Sequence, residues 1–429
     1  MKIYALKTPI IGELSNIAFD KSISHRSAIF SLLSDKVSVI KNYLFADDTN
    51  ATLEIIKLLG AKVEISKNLV KITPPKEVKE PSQILDCKNS GTAMRILMGL
   101  LASKNGFFIL NGDRYLNQRP MKRVTKPLCE IGASIDGRDN GDKAPLCIRG
   151  NKLKYFEYES KIASAQVKSS LILAALNSNG CKFKEPELSR DHSEKMLISI
   201  GADIKRDGLS VDVKPLKKAL KPLNIEVPND PSSAFYFAVA ASIIPGSHIV
   251  LKNVLLNKTR IEAYKVLEKM GANIEFIQTQ NDYEKIGDIK VKFAKLKAVE
   301  VKENISWLID EIPALAIAFA CANGKSIIRN AKELRVKECD RISVMVSGLR
   351  SCGLEVSEFE DGFSVVSKGE LKPAIIDSFG DHRIAMSFAI LGLKSGMIIE
   401  DDECINASFP NFKEILKSLG VSVENWTCW

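Results

Sequence analysis

Hydrophobic and polar positions follow one pattern six times along the chain. In each copy a helical pattern with one polar face stops at a glycine, and a short alternating strand follows at once, as in "LLGAKVEI" (58–65) and "SIGADIKR" (199–206). Glycine is typical of the left-handed position that ends a helix. The six glycines recur about every 70 residues, at Gly60, Gly132, Gly201, Gly271, Gly353 and Gly420. The chain is therefore predicted to consist of six repeats, each a small fold of its own.

Each repeat is predicted to contain the same elements in the same order. A helix that is apolar nearly all round comes first, a strand follows, and then come the glycine-terminated helix and one or two strands. The third repeat shows this order in "SAQVKSSLILAAL", "GCKFKE", "HSEKMLISIG" and "ADIKR". A helix without a polar face is typical of the centre of a domain. The pattern predicts an α/β fold: a two-lobed inverse α/β barrel, three repeats to a lobe, with buried helices inside and sheets outside.

Two lobes also agree with the length of the chain, because 429 residues exceed what one hydrophobic core usually supports. A proline-rich join, "KPLNIEVPNDPSSAF" (221–235), lies between the third and fourth repeats. The opening strand "MKIYAL" has no partner in the first repeat and is predicted to complete the last one, which ends early. We therefore expect one lobe at residues 20–228 and a second at residues 1–19 plus 229–429, with the chain crossing between them twice.

The composition of the chain limits the expected cellular location of the protein and the classes of partner that it is expected to bind. The chain is 45% hydrophobic and 26% charged, and it has neither a signal-peptide pattern nor an apolar run long enough to span a bilayer. We expect a cytoplasmic protein that does not bind a membrane. The nine cysteines contain no C-x-x-C pair, which indicates reduced thiols. With 61 basic and 52 acidic residues, the net charge of +9 favours anionic partners, either nucleic acid or small phosphorylated molecules.

Cations stand at or near the starts of the apolar helices. Capping residues are expected there, but a basic side chain at the positive end of a helix dipole is unfavourable unless an anion is present. Backbone N–H groups at such ends already favour phosphate. If the helices of each lobe run parallel, their starts converge on one cleft between the lobes. The cations are Lys21, Arg26, Arg95, Lys168 and Arg383.

The segment "LRVKECDR" (334–341) allows three interpretations: a metal site, a solvated charged surface, or a grip on an anion. A lone cysteine flanked by cations lacks the ligand count of a structural metal site. A solvated surface would be the default for this segment in isolation, but the cations at the other helix starts favour the anion grip. Cys339 is predicted to pack inward, because a thiolate beside Glu338 and Asp340 would be disfavoured by like charge.

Six segments together resemble the 5-enolpyruvylshikimate-3-phosphate synthase family. They occur in order over nearly the whole chain, and they are "DKSISHR", "NSGTAMR", "ASAQVKSS", "SRDHSEKML", "LRVKECDR" and "GDHRIAM". The family's fold, two lobes of three repeats with a double crossover, agrees with the repeat count. The resemblance implies transfer of an enolpyruvyl group from phosphoenolpyruvate to the 5-hydroxyl of shikimate 3-phosphate, with release of phosphate. Both substrates are small anions, and the reaction needs neither a cofactor nor an obligatory metal.

Matched position by position, the resemblance implies three groups of site residues. Asp310 matches the proton acceptor, Glu338 the proton donor, and Lys21 a cation that reaches both ligands. The residues that match shikimate 3-phosphate contacts are Lys21, Ser22, Arg26, Ser164, Gln166, Asp310 and Lys337, with Arg190 as a phosphate contact in a variable part of the pattern. The residues that match phosphoenolpyruvate contacts are Lys21, Gly91, Arg119, Gln166, Arg341 and Arg383.

Two positions depart from the family pattern, and two alternatives stay open. Ala407 stands where many relatives carry a lysine that contacts phosphoenolpyruvate, and Glu333 stands where some carry an asparagine. A sister transferase that acts on UDP-N-acetylglucosamine uses a loop cysteine, which "NGDRYLNQRP" (111–120) lacks. An RNA-end-processing or nucleic-acid-binding protein would carry aromatic stacking residues among its cations, and the helix starts have almost none. We expect a monomer that binds no nucleic acid.

Overall fold

One buried helix begins each of the six repeats in the computed structural model, which describes residues 1–426. We label these central helices α1 to α6: Lys21–Phe30, Gly91–Ala102, Ala165–Leu176, Pro231–Ile243, Ile312–Ala320 and His382–Ser395. All six begin within the segments that the sequence marked as helix starts. Every residue of α4 and α5 is buried, because neither helix has a polar face. The prediction of an apolar helix at the centre of each repeat is confirmed.

A second helix in each repeat ends at one of the six recurring glycines. These helices are Asp47–Leu58, Lys122–Glu130, His192–Ser199, Glu262–Lys269, Arg341–Ser351 and Phe412–Ser418. Shorter helical turns lie at Ser31–Leu33, Leu116–Gln118, Arg138–Gly141, Ile305–Leu308, Lys332–Val336 and Asp402–Ala407.

The chain divides into two compact units. Residues 19–227 form the N-terminal unit, and residues 1–18 together with the chain from residue 228 onward form the C-terminal unit. Each unit contains three repeats and three four-stranded sheets. Among residues 1–426, no helix has the length and apolar character needed to cross a membrane. Cys428 lies outside the described residues, and the other eight cysteines are free thiols, as predicted.

The three sheets of the N-terminal unit share one topology. In each, the first strand pairs parallel with the second, and the third and fourth strands continue antiparallel. In spatial order, the first sheet is Asn224–Glu226, Ser38–Lys41, Leu69–Thr73 and Lys62–Ser66. The second is Leu85–Asp86, Gly106–Asn111, Lys143–Gly150 and Ser134–Gly137, and the third is Phe156–Glu159, Cys181–Lys184, Ser210–Val213 and Ile204–Asp207.

The sheets of the C-terminal unit repeat that topology. In spatial order, the fourth sheet is Ile11–Leu14, His248–Leu255, Lys285–Lys292 and Asn273–Asn281. The fifth is Glu300–Val301, Gly324–Ile328, Gly362–Ser367 and Glu355–Phe359, and the sixth is Ala374–Asp377, Met397–Glu400, Lys2–Ile3 and Val423–Glu424. Lys2–Ile3 pairs antiparallel with both of its neighbours. The prediction that the opening strand completes the last repeat is confirmed.

All six recurring glycines adopt positive φ angles, as the helix-ending pattern predicted. The angles run from 82° at Gly420 to 102° at Gly132. A side chain in this region meets its own backbone, so glycine is favoured at these turns over any residue that carries a Cβ.

We predict that Gly201→Ala lowers the free energy of unfolding by about 1 to 2 kcal/mol through backbone strain alone. The φ of Gly201 is 101°, and no atom outside its immediate chain neighbours lies within 4 Å of a Cβ built there, so no packing clash adds to the loss. Chemical denaturation measures it. Gly201→Asn is the matched control, because asparagine tolerates positive φ better than alanine and should lose less. Equal stability of the alanine variant and the parent would contradict the prediction.

Candidate active site

Helix α1 begins the N-terminal set of site residues. Asp20 caps this helix and accepts a hydrogen bond from the Ile23 N–H at 2.7 Å. The ammonium of Lys21, the first helical residue, forms an ion pair with the carboxylate of Asp48, which is nearly buried. Asp48 could not be singled out from the sequence, since an acid in the first turn of a helix is ordinary. The Asp48 carboxylate fixes the direction in which Lys21 points.

Arg26 lies in the interior of the N-terminal unit. Its Nε donates to Ser193 Oγ at 2.8 Å, and its Nη2 donates to Ser169 Oγ at 3.0 Å. A third donor, Nη1, reaches the Ser22 carbonyl at 3.2 Å. These contacts tie α1 to α3 and to the His192–Ser199 helix. Arg26 thereby holds the backbone of Ser22, the neighbouring predicted contact, in place.

Gly91, Arg119 and Gln166, three predicted phosphoenolpyruvate contacts, are gathered around the start of α2. A Cβ at Gly91 would lie 3.0 Å from Arg119 Nη1 and 3.2 Å from Arg95 Nη1, so both guanidinium groups approach the helix start closely. Arg95 Nη1 donates to Gln166 Oε1 at 2.8 Å, and Gln166 Nε2 donates to Thr92 Oγ1 at 3.0 Å. Two guanidinium groups beside a helix N-terminus form a strong site for an anion. Arg95 also orients Gln166, a role that the sequence did not indicate.

The start of α3 carries Ser164, a predicted contact of shikimate 3-phosphate, and one error of the sequence interpretation. Ser164 caps the helix by accepting from the Val167 N–H at 3.4 Å, so its own hydroxyl proton can still be donated to a ligand. Lys168 was predicted to strengthen the attraction for an anion at this helix start. Its ammonium is instead fully buried and lies 2.9 Å from each of two carboxylates, those of Glu185 and Glu194. The prediction for Lys168 is wrong, because these acids neutralise it inside the unit.

The histidine of the α1 segment is structural. His25 is fully buried, with Nδ1 2.7 Å from Thr52 Oγ1 and Nε2 3.3 Å from Ser90 Oγ. Burial, reinforced by the charges of Lys21 and Arg26, holds the pKa of His25 well below its ordinary value. The imidazole is therefore neutral and links α1 to the cap of α2.

Asp310 is the centre of the C-terminal set. It precedes α5, and its carboxylate lies near cations from two other segments: Lys337 Nζ at 3.4 Å, Arg341 Nη1 at 3.5 Å and Arg383 Nη2 at 3.9 Å. Arg383 Nη1 also donates to the Asp310 backbone carbonyl at 2.8 Å. The structure thus brings together four of the five predicted residues of this unit around one carboxylate.

The fifth, Glu338, joins them through Arg341. Its Oε2 accepts from Arg341 Nη2 at 2.5 Å, while Arg341 Nε donates to Asp381 Oδ2 at 2.7 Å. Burial by itself disfavours the charged guanidinium, but Asp381, Glu338 and Asp310 together raise the pKa of Arg341 well above its ordinary value. Asp381 also caps α6 by accepting from the Arg383 N–H at 2.8 Å. One aspartate therefore fixes both Arg341 and the start of the helix that carries Arg383.

The charges of "LRVKECDR" are paired within the C-terminal unit rather than left to solvent. Arg335 donates to Asp340 Oδ2 at 2.7 Å and to Glu358 Oε1 at 3.0 Å, which supports the loop but leaves this arginine outside the group around Asp310. The Cys339 thiol lies 3.7 Å from Asp381 Oδ2, and burial together with that charge raises its pKa far above the ordinary value. The prediction that Cys339 is an inward, protonated thiol agrees with this environment.

Ala407 and Arg190, which the sequence analysis also singled out, are not among the contacts described above around Gly91 and Asp310. Ala407 ends the Asp402–Ala407 helical turn, and the nearby Lys413 ammonium pairs with Asp402. Arg190 is half-buried, and one residue, Asp191, separates it from the His192–Ser199 helix.

Comparisons with known proteins agree over the whole chain. The family model of EPSP synthase (3-phosphoshikimate 1-carboxyvinyltransferase) matches residues 5–416. A protein of Campylobacter hominis named 3-phosphoshikimate 1-carboxyvinyltransferase is 65% identical over 425 residues, which are 99% of this chain and 100% of that protein. One of Campylobacter concisus with the same name is 63% identical and covers 100% of both chains. The solved EPSP synthase of Acinetobacter baumannii superposes with a TM-score of 0.86 at 36% identity, covering 98% of this chain and 99% of that one.

The repeated fold and these relatives identify the chain as an enzyme of the transferase class. Within that class, it belongs to the EPSP synthase (3-phosphoshikimate 1-carboxyvinyltransferase) family. The predicted fold is confirmed, and neither the UDP-N-acetylglucosamine transferase nor the nucleic-acid-binding alternative is supported.

We predict that His25 makes the protein less stable as the pH falls below about 6.5, the ordinary pKa of histidine. In the unfolded chain the imidazole takes up a proton near that pH, whereas the folded protein takes it up only at lower pH, since the folded pKa is lowered. The stability that depends on the neutral ring is therefore complete above this pH and is lost progressively as the pH drops toward the folded pKa.

The melting temperature of the parent and of His25→Asn between pH 7.5 and pH 5 tests this. An asparagine amide atom takes a position close to that of Nδ1, so it can keep the hydrogen bond to Thr52, and it does not titrate in this range. The parent should lose more stability over the interval than the variant does. Parallel curves would show that His25 does not carry the dependence.

Proposed function

We propose that this chain transfers the enolpyruvyl group of phosphoenolpyruvate to the 5-hydroxyl of shikimate 3-phosphate, giving 5-enolpyruvylshikimate 3-phosphate and phosphate. Membership of the family supports this reaction, which belongs to the shikimate pathway. The observation that carries the residue assignment is the Asp310 carboxylate, which lies near three cations from two other segments. We also propose that the enzyme acts in the cytoplasm as a monomer, and that its partners are small anionic substrates rather than nucleic acid.

Cations at the starts of the central helices suit two anionic substrates. The repulsion between two such substrates has to be offset by fixed positive charge. In the N-terminal unit the proposed contacts of shikimate 3-phosphate are Lys21, Ser22, Arg26, Ser164, Gln166 and Arg190, and those of phosphoenolpyruvate are Lys21, Gly91, Arg119 and Gln166. In the C-terminal unit Asp310 and Lys337 are assigned to shikimate 3-phosphate, and Arg341 and Arg383 to phosphoenolpyruvate.

Asp310 is proposed as the base that removes the proton of the 5-hydroxyl. Nearby cations favour the ionised form of a carboxyl group, and a base must be ionised before it accepts a proton. Lys337 lies 3.4 Å from Asp310 Oδ1 and supplies the closest of these charges. The same cations hold the carboxylate in one place, which positions it for an oriented proton transfer.

Glu338 is proposed as the acid that protonates the methylene carbon of phosphoenolpyruvate. Without substrate, its ion pair with Arg341 favours the charged carboxylate, which is the wrong state for an acid. A bound phosphoenolpyruvate would bring its own anionic oxygens to Arg341 and compete for that guanidinium. Donor binding would thereby raise the proton affinity of Glu338 at the moment when the proton is needed.

Phosphate release in the presence of each candidate acceptor tests the function directly. With phosphoenolpyruvate present, shikimate 3-phosphate should support release and UDP-N-acetylglucosamine should not. Release with the nucleotide sugar alone would overturn the proposal.

We predict that Asp310→Asn and Glu338→Gln each lower turnover by about 10² to 10⁴, the usual contribution of a general acid or base. Both changes keep the shape of the side chain, so binding of shikimate 3-phosphate, followed by calorimetry, should survive. Glu358→Gln is the matched control, because it removes a carboxylate that pairs with Arg335, outside the group around Asp310. Near-normal turnover in either acid variant would remove that residue from the mechanism.

We predict that Gly91→Ala weakens inhibition by glyphosate more than it weakens use of phosphoenolpyruvate. By the family resemblance, glyphosate occupies the phosphoenolpyruvate place and is the longer ligand. The new methyl would lie 3.0 Å from Arg119 Nη1, which forces this flexible guanidinium or the ligand to move by a few tenths of an ångström. Steady-state kinetics with glyphosate varied against phosphoenolpyruvate gives two factors: the rise in the inhibition constant for glyphosate and the rise in the KM for phosphoenolpyruvate. Equal factors would show that Gly91 does not line a pocket shared by the two ligands.

A further inference from the structure

A cluster of four charged residues, three of them buried and the fourth half-buried, lies beside the Ser189–Arg190 segment. Lys168 of α3 lies 2.9 Å from Glu185 Oε1 and 2.9 Å from Glu194 Oε1. Arg206, from the strand Ile204–Asp207, reaches the same two carboxylates, at 3.3 Å from Glu185 Oε1 and in a close hydrogen bond to Glu194. Two positive and two negative charges balance inside the N-terminal unit. We refer to these four residues as the Lys168 cluster.

The Lys168 cluster holds every polar backbone and side-chain group of Ser189. Glu185 Oε2 accepts from the Ser189 N–H at 3.1 Å and from its hydroxyl at 2.6 Å. The Lys168 ammonium donates to the Ser189 carbonyl at 3.4 Å. A loop residue with three polar groups bound to buried charges has little freedom to move.

The other side of the segment is held in the same way. Glu194, in the first turn of the His192–Ser199 helix, is bound by Lys168 and Arg206. Its neighbour Ser193 accepts from Arg26 Nε at 2.8 Å. Arg190 therefore lies between two fixed points, Ser189 and Glu194, only a few residues apart, and the cluster limits the movement of the backbone that carries it.

A contribution to the folding stability of the protein does not by itself explain the Lys168 cluster well. Removing charges from water costs free energy that their attraction often fails to recover, and well-packed apolar residues of similar volume are often as stable. Fixing a single backbone conformation is something that apolar residues do less well, because they lack directional hydrogen bonds. The cluster is more readily explained by what it positions.

We propose that Lys168 and Glu185 are positioning residues for the phosphate of the acceptor, shikimate 3-phosphate. They fix the Ser189–Arg190 segment, and Arg190 in this segment binds that phosphate. This inference rests on the proposed function. It assigns these residues an indirect role, since both side chains are fully buried and bound to other groups of the protein. Loss of the cluster should impair binding of shikimate 3-phosphate and spare phosphoenolpyruvate.

The first test is Glu185→Gln. The amide keeps the shape but has only one acceptor oxygen in place of two, so it cannot serve both Lys168 and Ser189. We expect the KM for shikimate 3-phosphate to rise about tenfold, as for the loss of one charged hydrogen bond, with smaller changes in kcat and in the KM for phosphoenolpyruvate. Glu159→Gln is the control, because it neutralises an exposed carboxylate that pairs with Lys184 on the adjacent strand.

A second variant separates positioning from stability. Lys168→Met combined with Glu185→Met removes one charge of each sign, leaves the Arg206–Glu194 pair and avoids an uncompensated buried charge. We expect melting near that of the parent together with the same rise in KM for shikimate 3-phosphate. An unchanged KM in both variants would overturn the proposal. So would a loss of all kinetic parameters in parallel with the melting temperature, because that would indicate a structural role only.

Hydrogen exchange in the enzyme without substrate gives a readout that does not depend on the reaction. A peptide that contains residues 186–191 should exchange faster in Glu185→Gln than in the parent or in Glu159→Gln, since the Ser189 N–H loses its acceptor. Unchanged exchange would overturn the proposal even if the kinetics changed. If the parent does not turn over shikimate 3-phosphate, the proposed function fails, and the exchange experiment still decides whether the cluster fixes the segment.

Discussion

The C-terminal part of the candidate site depends on the ion pairs that the buried guanidinium of Arg341 forms with carboxylates. A charge inside a protein is tolerated only when it is paired and hydrogen-bonded, and Arg341 meets this condition through Asp381, Glu338 and Asp310. These acids come from three separate segments. One arginine therefore brings together the proposed acid, the proposed base and the cap of α6, which no local preference of the chain would do.

The N-terminal unit follows the same rule with different partners. Lys21 is held by Asp48, Arg26 by three oxygen acceptors, and Lys168 by two glutamates. The distinction between a cation that can serve a ligand and a cation that serves the fold lies in these partners. Arg119 and Arg95 approach the bare backbone of Gly91, where an anion can be bound, whereas Lys168 is neutralised in the interior.

The repeated topology explains why the helix starts recur. Six sheets have the same order of one parallel and two antiparallel pairings. In repeats two, three, five and six, the first strand of the sheet comes before the central helix of the same repeat in the chain. Repeats one and four borrow that first strand from a distant part of the chain: Asn224–Glu226 pairs with Ser38–Lys41, and Ile11–Leu14 pairs with His248–Leu255. The repeat unit is thus complete in space at two places where it is interrupted in sequence.

The sequence by itself determined the elements whose signals are local. The six glycines, the capped starts of the central helices and their apolar surfaces could be recognised, because each depends on a few adjacent residues and on backbone sterics. Family resemblance added the residues around Asp310. Only the tertiary structure decided the partners of the charged residues: Asp48 for Lys21, Gln166 for Arg95, and Glu185 and Glu194 for Lys168. A helix-start cation looks the same in sequence whether it faces a ligand or a buried carboxylate, since the sign of its environment is set by residues that folding brings to it from elsewhere in the chain.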